Sequence, residues 1–554
     1  MKISGARIII ETLIEKGVDT VFGYPGGAVL NIYDELYKNC DRIKHYTTSH
    51  EQGAAHAADG YARVMGKTGV VIATSGPGAT NLVTGIATAF LDSTPMIAIT
   101  GNVARSLIGR DSFQEVDICG ITMPITKHNY MVKDIKDLAN TIREAFVIAN
   151  SGRPGPVLID VPKDIQVAET EYEAIPKMDD NKRYENGVLA FNDALNIIKE
   201  SKRPFIYAGG GVVISNASSE LAAFSDAIDA PIGTSMMGLS AVDSSNPRFL
   251  GMTGMHGRYC SNKALSSSDL IIAIGTRFSD RATGNKVKFI DGKKVLHIDI
   301  DPAEIGKNIP AYVALIGDVK KMLTRLIQLL PKIERKQWKN EVEEIKNCVD
   351  SQLEMDKSRL NPQQVIATVN SHVAPETVIA TDVGQHQMWV AQYYKFHAPR
   401  TFITSGGLGT MGFGLGASIG AAVGTKRKTV LFTSDGGFHM NMNEMATVVS
   451  YNLPIVIVVM NNNALGMVRQ WQTLFFEGRY SCTSLNRKTD YVMLAKAFGM
   501  DGQKITDLNE LDNAIKDAVK FDRPYLLEVA IDPDEKVLPM IPPNGTIKDM
   551  ILKA

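Results

Sequence analysis

The sequence predicts an α/β protein with three doubly wound domains, each built on a mainly parallel sheet. Eight short apolar runs carry this prediction: GVVIAT, PMIAITG, PVLIDVP, DLIIAIGT, KVLHIDI, TVLFTS, PIVIVVM and YLLEVAI. Strands that are apolar throughout are typical of parallel sheets covered on both faces, and longer helical patterns separate these runs. A chain of 554 residues is also too long to form one hydrophobic core.

Two polar stretches predict the domain boundaries. Residues 168–187 lack apolar periodicity, and residues 333–361 form a charged helical pattern that ends near a new start. We therefore place the domains at 1–165, 185–330 and 360–554.

The composition excludes several classes of partner. Lys and Arg number 59 and Asp and Glu number 60, so we expect neither a nucleic-acid partner nor an anionic membrane surface. No apolar run reaches the roughly 18 residues of a membrane span, and the N-terminus lacks the pattern of an export signal. Cys40, Cys119, Cys260, Cys348 and Cys482 are scattered without a CxxC pair. Such cysteines are typical of reduced thiols and predict a cytoplasmic location.

The first and third predicted domains resemble each other. When the chain is shifted by 359 residues, positions 51–102 align with 410–461 without a gap, and 13 of the 52 pairs are identical. The strands, turn and helix stay in step, which predicts a duplicated fold, although two unrelated βαβ units remain an alternative. Glu51 aligns with Thr410 and Asp435 with Gly76. This difference predicts a ligand between two related domains that contact it differently.

Polar residues follow two neighbouring strands of the third domain. Asp435 follows TVLFTS, and Asn461 and Asn462 follow PIVIVVM, so they should share the carboxyl edge of a parallel sheet, where α/β folds bind ligands. The glycine turn after Asp435 opens a helix whose free N–H groups suit a phosphate. Carboxylate and amide oxygens are ligands that suit Mg²⁺ shared with phosphate. A simple Asx turn is the alternative for either element alone.

This spacing is similar to the thiamine-diphosphate motif, an Asp-Gly turn followed by an Asn pair. Asn462 lies 27 residues after Asp435, and Ser434 replaces the leading glycine of the family's Gly-Asp-Gly. The resemblance implies thiamine diphosphate and Mg²⁺, with Asp435, Asn462 and Ala464 at the metal. It also implies cofactor contacts from Val383, Gly384, Gln385, His386, Gly409, Met411, Gly436, Gly437 and Met467.

The stretch SHEQGAAHAADGYAR places a lone carboxylate, Glu51, at the start of an Ala- and Gly-rich helix. Taken alone, Glu51 is explained by the helix dipole, which favours an acid at this position. In thiamine enzymes a glutamate of the first domain meets N1′ of the aminopyrimidine, so that the 4′-nitrogen can take the proton from C2. The resemblance therefore implies a catalytic acid–base role for Glu51.

The resemblance covers nearly the whole chain and is closest to the acetohydroxyacid (acetolactate) synthase family. It is carried by stretches that include VFGYPGGAVLNIYD, DSFQEVDICGITMPITKH, GTRFSDRATGN and LGMVRQWQTLFFEGRYS. In that family pyruvate loses CO₂ on the cofactor, and the resulting hydroxyethyl carbanion attacks a second pyruvate or 2-oxobutanoate. The resemblance thus implies a transferase of branched-chain amino-acid biosynthesis.

Further roles are implied on the substrate side. Gly27 would flank the thiazolium, while Gln114 and Lys163, with Phe113 beside them, would line the channel from a neighbouring subunit. Arg277 would bind the acceptor carboxylate. Met467, Val468 and Trp471 would shape the acceptor pocket, with Trp471 favouring 2-oxobutanoate by apolar contact. A surface ion pair for Arg277 and a core position for Trp471 remain the alternatives.

Glycine turns and an acidic strand end in the middle domain suit a dinucleotide. The resemblance implies FAD, which the family binds without needing it for net redox chemistry. Its predicted contacts are Gly209, Gly210, Gly211, Gly254, His256, Gly275, Arg277, Asp280, Arg281, Asp299 and Asp318. Ser279 replaces the first Asp of the family's Arg-Phe-Asp-Asp-Arg stretch, which leaves the affinity for FAD open.

The resemblance also implies a homodimer or homotetramer with active sites at the subunit interface, and a possible small regulatory subunit. Two alternatives remain from sequence alone. One is a sister thiamine enzyme, either a 2-oxoacid decarboxylase or a pyruvate oxidase, which the Arg277 and Trp471 pair disfavours. The other is a non-catalytic nucleotide-binding scaffold, which Glu51, Asp435 and Asn462 disfavour. The sequence leaves open the acceptor preference, the regulation, and whether the C-terminal tail covers the site.

Overall fold

Three six-stranded sheets, each with all its strands parallel, organise the computed structural model of the chain, which describes residues 1–175, 188–350, 358–520 and 522–553. The α/β prediction is confirmed, because all eight apolar runs form strands of these sheets. The predicted domain start at 185, the final residue 554 and parts of both predicted linkers (176–187 and 351–357) lie outside the described residues. The domain limits therefore stay a proposal.

The first sheet has the strand order β3-β2-β4-β5-β7-β6, and β1 pairs with β8 separately. Its strands are β1 Lys2–Ser4, β2 Thr20–Tyr24, β3 Lys44–Thr47, β4 Gly69–Ala73, β5 Met96–Asn102, β6 His128–Met131, β7 Pro156–Pro162 and β8 Glu169–Glu171. Its helices are α1 Gly5–Glu15, α2 Leu30–Lys38, α3 Glu51–Met65, α4 Pro77–Thr80, α5 Val83–Leu91, α6 Ile118–Thr122, α7 Leu138–Asn150 and α8 Lys163–Val167. Short 3₁₀ turns lie at Arg105–Leu107, Met123–Ile125 and Ile135–Asp137.

The middle sheet has the order β11-β10-β9-β12-β13-β14, which is the arrangement typical of dinucleotide-binding folds. Its strands are β9 Pro204–Ala208, β10 Ile232–Thr234, β11 Phe249–Met252, β12 Leu270–Ile274, β13 Lys294–Asp299 and β14 Val313–Ile316. Its helices are α9 Val188–Glu200, α10 Gly210–Ile214, α11 Ser218–Ile228, α12 Tyr259–Ser267, α13 Asp280–Thr283, α14 Lys286–Phe289, α15 Val319–Leu329 and α16 Lys336–Asp350. Short 3₁₀ turns lie at Met236–Ala241 and Pro302–Glu304.

The third sheet has the order β16-β15-β17-β18-β20-β19. Its strands are β15 Val378–Thr381, β16 Phe402–Ile403, β17 Thr429–Ser434, β18 Ile455–Asn461, β19 Asp501–Ile505 and β20 Tyr525–Ala530. Its helices are α17 Pro362–His372, α18 Gln385–Tyr393, α19 Phe413–Thr425, α20 Asp435–Asn441, α21 Met445–Ser450, α22 Gly466–Phe475, α23 Tyr491–Ala497 and α24 Leu508–Lys520, with 3₁₀ turns at Met442–Glu444 and Ile547–Asp549. The strand order repeats that of the first sheet, so the predicted duplication is confirmed.

The duplicated helices α3 and α19 pack against each other at very short range. A Cβ on Gly60 would lie 2.1 Å from the carbonyl oxygen of Ala417, and a Cβ on Gly420 would lie 1.8 Å from that of Ala57. Only glycine permits such an approach of two backbones. The Ala- and Gly-rich composition of the stretch after Glu51 therefore serves the contact between the first and third domains.

No helix in the part of the chain that the structure describes is long and apolar enough to cross a membrane. Cys40, Cys119, Cys260 and Cys482 are free thiols, and the side chain of Cys348 lies outside the described residues.

Candidate active site

Asp435 begins α20 at the carboxyl end of β17 and is 1 % exposed. Within the part of the chain that the structure describes, neither of its carboxylate oxygens has a hydrogen-bond partner, and burial raises the pKa of this carboxyl to about 6. A buried carboxylate without a partner is costly, and a bound cation removes that cost. Ser434 caps the same helix, because its hydroxyl accepts the N–H of Gly437 at 3.3 Å. Serine in place of the family's glycine therefore supports the turn.

Asn462 lies just beyond β18, the strand next to β17. Its Oδ1 accepts the N–H of Ala464 at 3.1 Å, and its Nδ2 donates to Oε1 of Gln385 at 3.3 Å. Ala464 forms a bridge with Ser484, which holds the loop in place. Within the described ranges, no group of three or more His, Cys, Asp or Glu residues could hold a metal. A cation at Asp435 would therefore draw on amide, backbone and phosphate oxygens, as Mg²⁺ commonly does.

Asp382, to which the sequence-based predictions gave no role of its own, connects the ends of β15 and β17 to the start of α19. It accepts the N–H groups of Val383 and Gly412 at 2.8 Å each and the hydroxyl of Thr433 at 3.3 Å. Burial raises its pKa to about 6. Its position directly after an apolar strand, like that of Asp435, is the signal that could have identified it.

A cavity of about 1620 Å³ lies where the three domains meet. From the third domain it is lined by the predicted residues Val383, Gly384, Gly409, Met411, Met467, Val468 and Trp471. From the middle domain it is lined by the predicted residues Gly210, Gly211, His256, Gly275, Arg277, Asp280, Arg281, Asp299 and Asp318. The structure thus brings part of each set of residues predicted for cofactor, flavin and acceptor into one continuous space.

Several predicted residues lie outside this lining. Gln385, His386, Asp435, Gly436, Gly437 and Asn462 are buried and do not line the cavity. Gly254 lines a smaller adjoining pocket. Gly209 packs against the middle-domain backbone, since a Cβ there would lie 2.2 Å from the carbonyl oxygen of Gly275.

Arg277 reaches the cavity with its charge unpaired. Among residues 1–175, 188–350, 358–520 and 522–553, no carboxylate lies within ion-pair distance of its guanidinium, so the surface ion pair is not observed. Burial lowers the pKa of Arg277 and the nearby charge of Arg153 adds to this effect, while the carboxylates of Asp92, Glu304 and Asp299 partly oppose it. A partly buried, unpaired guanidinium is suited to an anionic ligand such as a carboxylate.

Arg153 and Glu304 form an ion pair between the first and middle domains that the sequence reasoning missed. Arg153 Nη1 lies 3.0 Å from Oε1 of Glu304, and both residues line the cavity. Glu304 is buried, and its second carboxylate oxygen has no hydrogen-bond partner. The only sequence signal was an arginine within a Gly-Arg-Pro-Gly turn.

Trp471 lies on α22 and is partly exposed to the cavity, so the core position is not observed. Its ring meets Phe475 edge-on with centroids 5.3 Å apart, and the guanidinium of Arg281 lies 5.5 Å from its centroid. The predicted flavin side and acceptor side of the cavity are therefore in direct contact.

Glu51 begins α3 and is buried at 9 % exposure. The side-chain amide of Asn81 donates to its Oε2 at 2.9 Å, whereas a Cβ on Gly78 would lie 3.1 Å from its Oε1. Asn81 has no role in the sequence-based predictions, although it follows the aligned glycine turn of the first domain. The arrangement fixes one oxygen of the carboxylate and leaves the other without a side-chain donor.

The other residues predicted for the channel also lie in the first domain. No atom of the described residues would meet a Cβ on Gly27 within 4 Å, and Gln114, at a φ of 61°, packs with its backbone against Gly76. Lys163 begins α8 and is exposed, and Phe113 is 87 % exposed. None of these residues, nor Glu51, lines the large cavity of the same chain.

The C-terminal tail is ordered against the middle domain. The N–H of Ile541 donates to the carbonyl oxygen of Met255 at 2.7 Å, and the N–H of Asn285 donates to that of Gly545 at 3.4 Å. The tail lines the smaller pocket beside the cavity, so it is docked against the middle domain.

Comparison with known proteins matches all three domains. Residues 3–121, 191–326 and 382–529 match the N-terminal TPP-binding, central and C-terminal TPP-binding domains of thiamine pyrophosphate enzymes. The chain is 46% identical over 564 residues to a probable acetolactate synthase large subunit of Methanocaldococcus jannaschii, covering 99% of this chain and 95% of that protein. It belongs to the acetolactate synthase large-subunit family.

Two bacterial members of the acetolactate synthase family are similar to the chain over nearly its whole length. The acetolactate synthase isozyme 2 large subunit of Escherichia coli is 44% identical over 552 residues, covering 99% of this chain and 100% of that protein. The acetolactate synthase large subunit of Corynebacterium glutamicum is 45% identical over 570 residues, covering 99% and 90%. The predicted resemblance and the thiamine-dependent enzyme class are confirmed. The sister-enzyme and scaffold alternatives are set aside.

Proposed function

We propose that the chain, as a member of the acetolactate synthase family, decarboxylates pyruvate and joins the two-carbon unit to a second 2-oxoacid. With pyruvate or 2-oxobutanoate as acceptor, the products are acetolactate or acetohydroxybutanoate, precursors of branched-chain amino acids. One observation carries the ligation step. The unpaired Arg277 lines the same cavity as Gly409 and Met411, so an acceptor carboxylate can bind beside the proposed cofactor segment.

Mg²⁺ and the diphosphate fit the third domain. Asp435 offers two buried oxygens without partners, and Asn462 offers its Oδ1 on the neighbouring strand end. The backbone carbonyl of Ala464 completes the proposed protein ligands. Gly409 and Met411 would position the thiamine moiety, which when bound supplies the electron sink for decarboxylation.

Glu51 is the proposed acid–base group. Because Asn81 donates to Oε2, Oε1 is the oxygen available to hold a proton at N1′ of the aminopyrimidine. A carboxyl group at hydrogen-bond distance from the proton that it exchanges is the requirement for such a role.

Arg277 and Trp471 are the proposed acceptor residues. Arg277 would orient the acceptor through its carboxylate, since a guanidinium can donate two parallel hydrogen bonds. Trp471, with Val468 beside it, would contact the extra methyl group of 2-oxobutanoate. A single methyl group can shift the preference by about 1–3 kcal/mol.

A second copy of the chain is part of the proposal. The first-domain residues predicted for the active site do not line the cavity of their own chain, so Glu51, Gly27, Phe113, Gln114 and Lys163 would enter that of a partner. The exposed ring of Phe113 suits burial in such an interface. A homodimer or homotetramer follows, and the large-subunit names of the relatives favour an additional small regulatory subunit.

FAD is the proposed occupant of the middle-domain side. The strand order of that domain and nine cavity-lining residues among those predicted support it. Ser279 lines the cavity where the family has an acidic residue. A cytoplasmic location belongs to the same proposal.

The test is a reaction of purified protein with pyruvate, thiamine diphosphate, Mg²⁺ and FAD, with products identified by mass spectrometry. Acetolactate supports the proposal, and added 2-oxobutanoate should yield acetohydroxybutanoate. Acetaldehyde or acetyl phosphate without acetolactate would contradict ligation.

A further inference from the structure

Three side-chain amides form a continuous chain of hydrogen bonds behind the cavity. Asn462 donates through Nδ2 to Oε1 of Gln385 at 3.3 Å, and Gln385 donates through Nε2 to Oε1 of Gln470 at 3.0 Å. All three residues are buried. Their order runs from the proposed metal ligand just beyond β18 to α22, the helix that carries Trp471.

The C-terminal tail anchors the far end of this chain. Oε1 of Gln470 accepts the N–H of Val537 at 2.8 Å, while its Nε2 donates to the carbonyl oxygen of Val537 at 3.1 Å. Gln385 Nε2 also donates a hydrogen bond to the carbonyl oxygen of Glu535 in the tail, at 2.8 Å. A backbone N–H and C=O cannot exchange roles, whereas a side-chain amide can rotate by 180°. Val537 therefore fixes the orientation of Gln470.

The glycine at 466 leaves the space that this arrangement needs. A Cβ on Gly466 would lie 1.9 Å from Oε1 of Gln385 and 2.7 Å from Nδ2 of Asn462. Any side chain there would displace the hydrogen bond between Gln385 and Asn462. Gly466, the first residue of α22, therefore leaves room for the hydrogen bond between Gln385 and Asn462. Gln470, four residues later, orients Gln385 for the same hydrogen bond.

We infer that Gln470 is a positioning residue for Mg²⁺ and acts through the amide chain Gln470–Gln385–Asn462. With Gln470 fixed by the tail, Oε1 of Gln385 must face Asn462, and Nδ2 of Asn462 must face Gln385. Oδ1 of Asn462 is then the oxygen left for a cation. A rotated amide would instead present hydrogen-bond donors to the metal. This inference rests on the proposed Mg²⁺ site at Asp435 and Asn462.

The effect is expected to be a weakening rather than a loss. The N–H of Ala464 also contacts Oδ1 of Asn462, so two restraints orient that amide. Removing a residue that orients a metal ligand typically lowers metal affinity by about 10–100-fold. We expect about a tenfold rise in the Mg²⁺ dissociation constant when Gln470 is replaced by the similarly sized Met.

The test measures Mg²⁺ binding to the full-length protein with thiamine diphosphate, by calorimetry and by electron paramagnetic resonance with Mn²⁺. Gln470→Met should lower the affinity for Mg²⁺ and for Mn²⁺ about tenfold. Its kcat at saturating Mg²⁺ should stay close to the wild-type value. Val537→Pro removes the N–H that donates to Gln470. This change lies outside α22 and should lower the affinity for both ions by a similar factor. Ile541→Pro is the matched control, since it removes the tail's N–H donor to Met255 and leaves Gln470 untouched.

Metal affinity is compared in those of the two variants, Gln470→Met and Val537→Pro, that keep the wild-type thermal transition. If such a variant binds the metal as tightly as the wild type, the inference is overturned. Equal weakening by Ile541→Pro also overturns it, because tail docking in general would then be responsible. Asp435→Ala separates this inference from the proposed function. If Asp435→Ala retains wild-type Mg²⁺ affinity, the metal site itself is wrong. If it loses that affinity and Gln470→Met does not, only the amide chain is wrong.

Discussion

Arg281 of the middle domain lies over the indole ring of Trp471 in the third domain, with its guanidinium carbon 5.5 Å from the ring centroid. This contact joins a residue predicted for the flavin to one predicted for the acceptor, across a domain boundary. Because the guanidinium covers one face of the ring, it limits how Trp471 can move within the acceptor pocket.

Arg281→Gln should loosen Trp471 and reduce the preference for 2-oxobutanoate. An exposed cation–π contact contributes about 0.5–1 kcal/mol, which corresponds to roughly a two- to fivefold change. The measurement is the ratio of acetohydroxybutanoate to acetolactate in a mixture of pyruvate and 2-oxobutanoate. Lys286→Gln, an exposed neutralisation on α14, is the control. An unchanged ratio in Arg281→Gln would show that the stacking does not shape the pocket.

Trp471→Leu should lower the same product ratio further, because it removes the ring itself. Loss of apolar contact with one methyl group corresponds to about 1–3 kcal/mol, or roughly 10–200-fold. The rate with pyruvate alone should change much less than the ratio. If both acceptors lose rate equally, Trp471 supports the fold of α22 rather than acceptor choice.

Glu51→Gln should slow exchange of the C2 proton of bound thiamine diphosphate by about 100–10,000-fold, the usual range for loss of a positioned acid–base group. The exchange is followed by NMR after dilution into D₂O. Circular dichroism and the thermal midpoint should match the wild type, because glutamine is nearly isosteric. Exchange at the wild-type rate would refute the role of Glu51.

Hybrids of two inactive variants test the proposed sharing of sites between subunits. Glu51→Gln and Asp435→Ala should each abolish most activity alone. In a mixed dimer one site carries both defects and the other carries neither, so about half of the wild-type activity per mixed dimer should return. No recovery in purified hybrids would place Glu51 and Asp435 of one chain in the same site.

We expect the free energy of unfolding to decrease as the pH falls into the mildly acidic range, because His56 is protonated more readily in the unfolded chain than in the folded one. Its ring lies buried between α3 and α19, 5.2 Å from that of Phe413, and burial lowers its pKa to about 3, with the charge of Arg63 adding to this. The unfolded pKa is about 6.5, so the neutral ring stabilises the fold above that pH. This stabilisation is lost as pH falls from about 6.5 toward 3.

The matched variant is His56→Phe, which cannot titrate. Between pH 7.5 and 5.5 the wild type should lose about 1.4 kcal/mol relative to this variant, from the linkage of one proton. Urea unfolding of both proteins without cofactor measures the difference. The comparison cancels the buried acids, such as Asp160 and Asp382, whose raised pKa values act in the opposite direction. A constant difference would contradict the burial of a neutral His56.

The sequence by itself determined the strands of the fold and the positions of Asp435 and Asn462 at two neighbouring strand ends. Continuous apolar runs predicted strands correctly, because burial on both faces imposes that pattern on each strand separately. Asp435 and Asn462 were predictable for a similar reason, since both directly follow strands that are neighbours in the sheet. The internal repeat predicted the duplication because related folds preserve the spacing of strand, turn and helix.

Only the tertiary structure decided how those parts meet. Asp382 against Gly412, Arg153 with Glu304, and Gln470 with Val537 join residues that are distant in sequence, so their contacts depend on how loops and domains pack. The same packing separates Glu51 from the cavity of its own chain. Glu51 and the third-domain residues that line this cavity were nevertheless predicted to bind one cofactor. Local patterns specify strands and turns, whereas the distance between two side chains on different domains depends on the packing of the whole chain.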